Sequence, residues 1–317
     1  MTTLTPARIV ADCPLPPAIL KLLGERVEVQ PWSVAEAGSQ TRIDGIYTYD
    51  RPTVDSGVLA RLPGVKVVSN NGVGVDHIDV AAATALGIPV GNTPGVPDGA
   101  TADLGLALML AAGRRLMQGD RFARSAEFVT GDPGYIVGRE IYGQTLGIIG
   151  LGRIGQQVAK RARGLEMTIL YHNRNRRDDL ESTLGVTYAD LTELLTTSDY
   201  VMLCVPLNEE TVGLIGQSEL SQMKSTAILI NIARGAVVDT RALTDALQNG
   251  DIYAAALDVT EPEPLPRDHP LLGFDNVTIT PHLGTATEQT RQRMNEVSVE
   301  NLFRGLQGQP LLHEVKR

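Results

Sequence analysis

Six residues constrain this chain more than any others: Gly150-Leu151-Gly152-Arg153-Ile154-Gly155. An apolar run, Leu146 to Ile149, reads as a buried parallel strand and leads directly into them. A helical pattern follows to about Gly164, then a second strand, Met167 to Tyr171. G-x-G-x-x-G at the strand-to-helix turn of a βαβ unit is a dinucleotide-binding arrangement. Gly150 permits the tight turn, Gly152 lets the backbone approach a pyrophosphate, and Gly155 lets helix and strand pack closely. The pyrophosphate rests on the helix N-terminus, where free N–H groups and the helix dipole favour anions. The competing reading, a glycine-rich structural turn, accounts less well for the strand before and the helix after.

The end of the second strand bears on which dinucleotide binds. NAD sites usually carry Asp or Glu about 20 residues beyond the glycines, on the ribose 2′-OH. Here the positions read His172-Asn173-Arg174-Asn175-Arg176-Arg177, and the first acid is Asp178. Three arginines without a carboxylate suit a 2′-phosphate, which guanidinium grips as a fork. NADP is therefore favoured over a solvated basic turn that binds NAD without the acid.

The 317 residues suffice for two domains. A net charge of −9 argues against broad affinity for nucleic acid or anionic membrane. Cys13 and Cys204 have no metal-ligand spacing and suit a reducing cytoplasm rather than a disulfide framework. The opening MTTLTPARIV lacks the apolar core of a signal peptide. The run Leu104 to Ala112 is too short to span a bilayer.

Up to about residue 98, short strands alternate with helices: Ala7 to Ala11, Val27 to Val29, Gly45 to Tyr49, Val65 to Ser69 and Pro89 to Gly91 against helices such as Pro17 to Leu23 and Val54 to Ala60. This alternation predicts a small open sheet with helices on both faces. The loop Ser69-Asn70-Asn71-Gly72-Val73-Gly74-Val75-Asp76 follows a strand, and its glycines expose backbone N–H groups that can cradle an anion or form a plain turn. A long helix is expected from Gly99 to Leu116, ending on Arg114-Arg115 and bridging two domains. Residues 117–143 read as a helix and an irregular arm containing Gly131, Pro133 and Gly134, of a kind that packs on a partner subunit. Further strands are expected at Asp199 to Val205, Thr226 to Ile232, Ile252 to Leu257 and Val277 to Thr280, with helices from Asp239 to Asn249 and Glu288 to Gly305.

In open α/β sheets, ligands bind outside the carboxyl ends of the strands. Arg234 and His282 each follow a strand, and Glu263 lies in the loop after a third. Arginine can grip a substrate carboxylate bidentately. Histidine can exchange the proton of a carbonyl/alcohol pair, because its intrinsic pKa lies near neutrality. Glutamate can bond the other ring nitrogen, orient the ring and favour its charged form. Singly, each has a bland reading as a capping arginine, a solvated acid or a loop histidine. Together, at strand ends beside a dinucleotide site, they point to catalysis.

Several ordered motifs carry a resemblance. They are Gly150 to Gly155, Asn231-Ile232-Ala233-Arg234-Gly235, Leu257-Asp258-Val259-Thr260-Glu261-Pro262-Glu263-Pro264, Pro281-His282-Leu283-Gly284, the Asn71 to Asp76 loop and Thr101-Ala102-Asp103. Over nearly its whole length the chain resembles the D-isomer-specific 2-hydroxyacid dehydrogenases, with the glyoxylate/hydroxypyruvate reductase branch nearest. The resemblance implies an α/β fold of two doubly wound parallel-sheet domains, a Rossmann cofactor domain and a smaller flavodoxin-like substrate domain. The layout it suggests is a discontinuous substrate-binding domain, residues 1–98 and 288–317, and a dinucleotide-binding domain, residues 99–287, with the active site in the cleft between them. It implies Arg234, Glu263 and His282 as carboxylate binder, histidine partner and acid/base, and Asn71, Val73 and Gly74 as substrate contacts. Thr101, Leu151, Arg153, Ile154, Pro206, Thr211, Ala233, Asp258 and Gly284 would join the glycines in lining the cofactor site. Asn173, Arg174 and Arg177 would hold the 2′-phosphate. The family usually dimerises through the cofactor domain.

There are departures from the family pattern. Many members carry an acid after the second strand, absent here, and many have Trp near the arm where this chain has Phe128. Tyr47, Tyr49, Arg291 and Met294 are further candidates for the pocket wall. The expected activity is NADPH-dependent reduction of a small 2-keto acid to the D-2-hydroxy acid by a cytoplasmic homodimer. The rivals are a broader 2-ketogluconate or 2-keto acid reductase, phosphoglycerate, phosphite or formate dehydrogenases, and a nucleotide-sensing scaffold. A scaffold need not keep the Arg234, Glu263 and His282 set. The phosphoglycerate branch normally has the acid, and formate dehydrogenases usually add Gln where this chain has Pro281.

Overall fold

A computed structural model of the chain describes residues 5–39, 41–129, 131 and 134–316. Met1 to Leu4 of the N-terminal stretch, and Pro133 of the arm, lie outside the described residues. The chain divides into two compact units, Met1–Pro97 with Ala286–Arg317, and Asp98–Thr285.

The first unit holds strands β1 (Ala7–Ala11), β2 (Val27–Pro31), β3 (Gly45–Thr48), β4 (Val68–Asn70) and β5 (Val90–Gly91). All pair in parallel in the order β2-β1-β3-β4-β5, the flavodoxin-like 2-1-3-4-5 arrangement. Side chains of Asp55 and Asp79 cap the helices Ser56–Arg61 and Val80–Ala85 by accepting from backbone N–H groups. The helix Glu288–Leu306, capped by Thr287, belongs to the same unit. Its Val299 and Leu302 share a buried cluster with Ile9, Ile19, Leu23, Tyr47 and Val67.

The second unit holds β6 (Thr145–Ile149), β7 (Thr168–His172), β8 (Thr187–Tyr188), β9 (Tyr200–Leu203), β10 (Ile228–Asn231), β11 (Ala254–Leu257) and β12 (Val277–Ile279). They form one parallel sheet in the order β12-β11-β10-β9-β6-β7-β8. That is the Rossmann order with one added strand, and it reverses direction at β6 and β9. Because successive side chains alternate faces, Ile148 packs with Ala102, Met109, Val158 and Ala159 on one side. Ile149 packs with Leu194, Leu220, Leu243 and Leu247 on the other. Both faces are covered by helices, so β9, β10 and β11 are buried along their whole length and read as continuous apolar runs.

One local expectation changes, and one strand is added. The long helix runs Asp98–Gly113 rather than to Leu116; Arg115 takes a left-handed φ of 51° and a separate helix, Leu116–Ala123, begins. The cause is tertiary: Arg139 N–H donates to the Gly113 carbonyl at 2.7 Å, ending the ladder there. The two-residue β8 is too short to show in periodicity. Among the described residues, no helix is long and apolar enough to cross a membrane.

The turn after β6 is the tightest point of the second unit. A Cβ on Gly155 would lie 2.1 Å from the Gly150 carbonyl oxygen. Both partners are backbone, so neither can yield without moving helix or strand. Gly155→Ala should therefore cost about 1–3 kcal/mol of stability, read as a lowered midpoint in chemical unfolding. An unchanged midpoint would show that the helix can retreat from the strand freely.

Candidate active site

Every strand of the second sheet is parallel, so the loops after β6, β7, β9, β10, β11 and β12 emerge on one edge. The glycine turn lies on that edge, where the strand order reverses. Gly150 has φ +104°, and a Cβ there would meet Cys204 and Val205 backbone at 2.8 and 2.9 Å. Gly152 faces open space and begins the helix Arg153–Ala162 without any side-chain cap. An uncapped helix N-terminus behind an open glycine fits a dinucleotide pyrophosphate. Arg153 is turned aside: its Nε donates to Asp98 Oδ2 at 2.9 Å. Leu151 N–H donates to Asn173 Oδ1 at 2.7 Å, tying the glycine turn to the turn after β7.

The histidine loop follows β12. His282 has φ +54°, a conformation costly for a residue with a side chain, by about 1–3 kcal/mol. The buried carboxylate of Asp258 holds it there. Asp258 Oδ1 accepts from Leu283 N–H at 2.6 Å and from the Thr280 hydroxyl at 2.7 Å, while Oδ2 accepts from Gly284 N–H at 2.8 Å. The Asp258 carbonyl accepts from His282 N–H at 2.9 Å. Thr101 completes the support by donating its hydroxyl to the Gly284 carbonyl at 3.1 Å.

So held, the imidazole meets Glu263. His282 Nδ1 donates to Glu263 Oε1 at 2.8 Å, and both side chains are about one-third exposed. A carboxylate only accepts, so Nδ1 carries hydrogen and Nε2 is the nitrogen left for proton exchange.

Arg234 lies three residues beyond β10, in a turn that Asn231 builds. Asn231 Oδ1 accepts from Ala233 N–H at 2.9 Å, and its Nδ2 donates to the Arg234 carbonyl at 2.9 Å. The next residue brings this turn against the loop leading to Glu263, since a Cβ on Gly235 would lie 2.0 Å from Thr260 backbone. Arg234 itself is half-buried and donates from Nη1 to the Ala233 carbonyl at 2.8 Å. After β9, the Thr211 hydroxyl donates to the Pro206 carbonyl at 2.6 Å, folding that loop on itself.

In the first unit, the loop after β4 is organised by buried Asn70. Its Nδ2 donates to the Gly72 and Gly74 carbonyls at 3.1 and 3.0 Å, and its Oδ1 accepts from Thr48. Asn92 donates to the Val73 carbonyl at 2.8 Å. The Gly72, Val73 and Gly74 carbonyls are thus taken by protein donors. Among the described residues, the N–H groups of Val73 and Gly74 donate to no protein acceptor. Asn71 is fixed by donating to Tyr47 Oη at 3.1 Å and Asn295 Oδ1 at 2.8 Å. Tyr47 and Met294 are buried, so they pack rather than line an open wall; burial pushes the Tyr47 hydroxyl up, keeping it neutral.

The basic turn after β7 is not a bare cluster of positive charge. Arg176 forks onto Glu181 at 2.7 and 2.8 Å, and Arg177 forks onto Asp179 at 2.8 Å twice. Arg174 Nη1 donates once, to Glu210 Oε2 at 2.6 Å. The thiols of Cys13 and Cys204 are free, and burial pushes them up to about 11 and about 12, so neither is a thiolate nucleophile at neutral pH.

The sequence motifs contained Asn231 and Asp258 without revealing that they build the Arg234 and His282 loops. Asn70 was named only as part of its loop, and Glu210 was not singled out. Polar residues at or just beyond a strand's carboxyl end were the available signal for the first three. Nothing local marks Glu210.

Residues 106–284 match the family model for the D-isomer specific 2-hydroxyacid dehydrogenase NAD binding domain. A glyoxylate reductase of Korarchaeum cryptofilum is 43% identical over 304 residues, covering 93% of this chain and 92% of its own. One from Aeropyrum pernix is 44% identical over 303 residues, covering 92% and 90%. The crystal structure of an NADPH-dependent glyoxylate/hydroxypyruvate reductase from Sinorhizobium meliloti, in complex with NADP and malonate, superposes with a TM-score of 0.89 at 33% identity, covering 98% of this chain and 96% of that one. With its two parallel-sheet units and a match running almost end to end, the chain belongs to the D-isomer specific 2-hydroxyacid dehydrogenase family, in its glyoxylate reductase branch.

Proposed function

We propose that this protein reduces small 2-keto acids, glyoxylate and hydroxypyruvate among them, to D-2-hydroxy acids with NADPH. The observation that carries the reading is the His282–Glu263 pair, 2.8 Å apart, on the sheet edge that also bears the glycine turn. When bound, the nicotinamide nucleotide supplies the hydride. The protein's own residues do the rest. Glu263 fixes the ring through Nδ1, so that Nε2 of His282 is the atom that passes a proton to the carbonyl oxygen. Asp258 holds the loop in the geometry that aims the ring. Arg234 grips the substrate carboxylate. The free N–H groups of Val73 and Gly74 support a substrate-binding role for the first unit.

Gly150, Leu151, Gly152, Ile154 and Gly155 would receive the pyrophosphate; Thr101, Arg153, Pro206, Thr211, Ala233, Asp258 and Gly284 would surround or support the nucleotide. Asn173, Arg174 and Arg177 would hold its 2′-phosphate. The absence of a carboxylate from Asn173 to Arg177 supports NADPH, as does similarity to a relative described as NADPH-dependent. Spectrophotometric assay with glyoxylate, hydroxypyruvate, pyruvate and 2-ketogluconate should show turnover favouring the two smaller-branch substrates and NADPH over NADH. No turnover with any keto acid would support a nucleotide-sensing scaffold instead.

His282→Ala should lower kcat by about 10²–10⁴ while leaving the NADPH dissociation constant within a few-fold. Arg234→Ala should chiefly raise the keto-acid KM. A near-normal kcat in the first, or an unchanged kcat/KM in the second, would remove that residue from the mechanism.

A homodimer formed through the cofactor unit is part of the same reading. Phe128, Val129, Tyr135, Val137 and Tyr142 all lie exposed along one segment of that unit, an apolar surface of the kind that marks protein contacts. Phe128 and Tyr135 stack edge-on against Phe122. Sedimentation equilibrium should return about twice the 34.0 kDa chain mass; a monomer at micromolar concentration would count against the dimer.

A further inference from the structure

We propose that Glu210 is a specificity-determining residue for the cofactor: its carboxylate holds Arg174 in place of the 2′-phosphate, and the nucleotide must displace it. The inference rests on the NADP reading above and names a residue that reading did not contain.

The three arginines after β7 differ in how they are held. Arg176 makes two bonds to Glu181, a carboxylate that also accepts from the Tyr171 hydroxyl at 2.9 Å. Its guanidinium lies 5.5 Å from the Tyr188 ring centroid. Moving it would unmake a small network, so Arg176 fastens the turn to the helix Asp178–Leu184. Arg177 makes two bonds to Asp179 in the first turn of that helix, and its backbone N–H donates to Tyr171 Oη at 2.8 Å. Arg174 makes one bond, to a residue 36 positions away in sequence, and both side chains are mostly exposed, at 72% and 62%. It is the arginine most easily released.

Glu210 is not simply a wandering surface acid. Its backbone N–H donates to Asn208 Oδ1 at 3.0 Å, and Thr211 beside it is tied to Pro206 and Asn208. On the other side, Asn173 is tied to Leu151 of the glycine turn. Both ends of the Arg174–Glu210 pair are therefore anchored to loops on the cofactor-binding edge, and the carboxylate stays near whatever Arg174 binds.

A phosphate dianion outcompetes a single exposed carboxylate for guanidinium, because it offers more charge and a two-bond fork. Displacement lowers apparent affinity by the fraction of time Arg174 is occupied. For an exposed pair worth about 0.5–1 kcal/mol, that fraction corresponds to about three- to sixfold. NADH lacks the phosphate and does not have to open the pair. Glu210 therefore narrows the preference for NADPH and leaves NADH usable.

The test is a double-mutant cycle on the full-length protein with Glu210→Gln, Arg174→Ala and the combined variant. Dissociation constants for NADPH and NADH come from nucleotide fluorescence, with kcat/KM alongside. Glu210→Gln should tighten NADPH about three- to sixfold and move NADH less than twofold. The same change made on Arg174→Ala should tighten NADPH clearly less, since only the residual repulsion between Glu210 and the phosphate is left to remove. Equal tightening with or without Arg174, equal shifts for both nucleotides, or no shift while Arg174→Ala still weakens NADPH selectively, would each overturn the Glu210 assignment and leave the NADP reading standing. If Arg174→Ala weakens both nucleotides equally or neither, Arg174 does not hold the 2′-phosphate and this inference falls; the NADP reading falls only if the unaltered protein shows no preference for NADPH over NADH.

Discussion

Backbone lies against backbone, with no side chain between, at three places on the carboxyl edge of the second sheet. Gly155 abuts the Gly150 carbonyl, Gly150 abuts the chain at Cys204 and Val205, and Gly235 abuts Thr260. Each approach is closer than any Cβ would allow. The first brings a helix N-terminus to the end of β6. The second seats that turn at the point where the strand order reverses. The third brings the Arg234 turn against the loop that leads to Glu263. The site's geometry depends on these approaches, because a parallel sheet delivers its loops to one edge but does not by itself bring them together.

Buried polar side chains then set the shape of each loop. Asn231 and Asn70 bond backbone groups of the loop that follows their own strand, and Asp258 bonds backbone groups of the loop after the neighbouring strand β12. Such groups are costly to bury unless satisfied, so each is tied to one loop conformation. Asp258 illustrates the gain. Its two oxygens collect Thr280, Leu283 and Gly284, and between those contacts His282 is held in a left-handed conformation that histidine would otherwise leave. In this way a residue at the end of β11 positions an imidazole after β12.

Charge is arranged by pairing. Counted along the chain, Arg174, Arg176 and Arg177 form a basic cluster with Asp178, Asp179 and Glu181 directly after it. In the fold each meets a carboxylate, and the three pairs differ in bond number and in the distance to the partner along the chain. Guanidinium charge cannot titrate away, so what distinguishes the three is the ease with which each partner can be exchanged for another anion.

Much of the fold was legible in the sequence. Apolar runs marked the buried strands of the second sheet because such strands are covered on both faces. The strand–helix alternation implied parallel, doubly wound sheets, since parallel strands need crossovers. The glycine spacing after β6 carried its own reason, as did Arg234, Glu263 and His282 at or after strand ends. Other features depended on distant partners. The long helix stopped at Gly113 because Arg139, far along the chain, takes its carbonyl. The two-residue β8 had no periodicity to detect. Asp258 and Asn231 look like ordinary polar residues until their loops fold back on them, and Glu210 has no local mark at all. The sequence by itself determined the two-sheet α/β class, the dinucleotide turn and the chemical types at the strand ends, because these follow from local spacing and backbone sterics. Only the tertiary structure decided which groups meet: His282 with Glu263, Asp258 with the histidine loop, Arg174 with Glu210. Those pairings bring together residues from 19 to 36 positions apart, and pairing at that range is fixed by strand order and close packing, which no local pattern encodes.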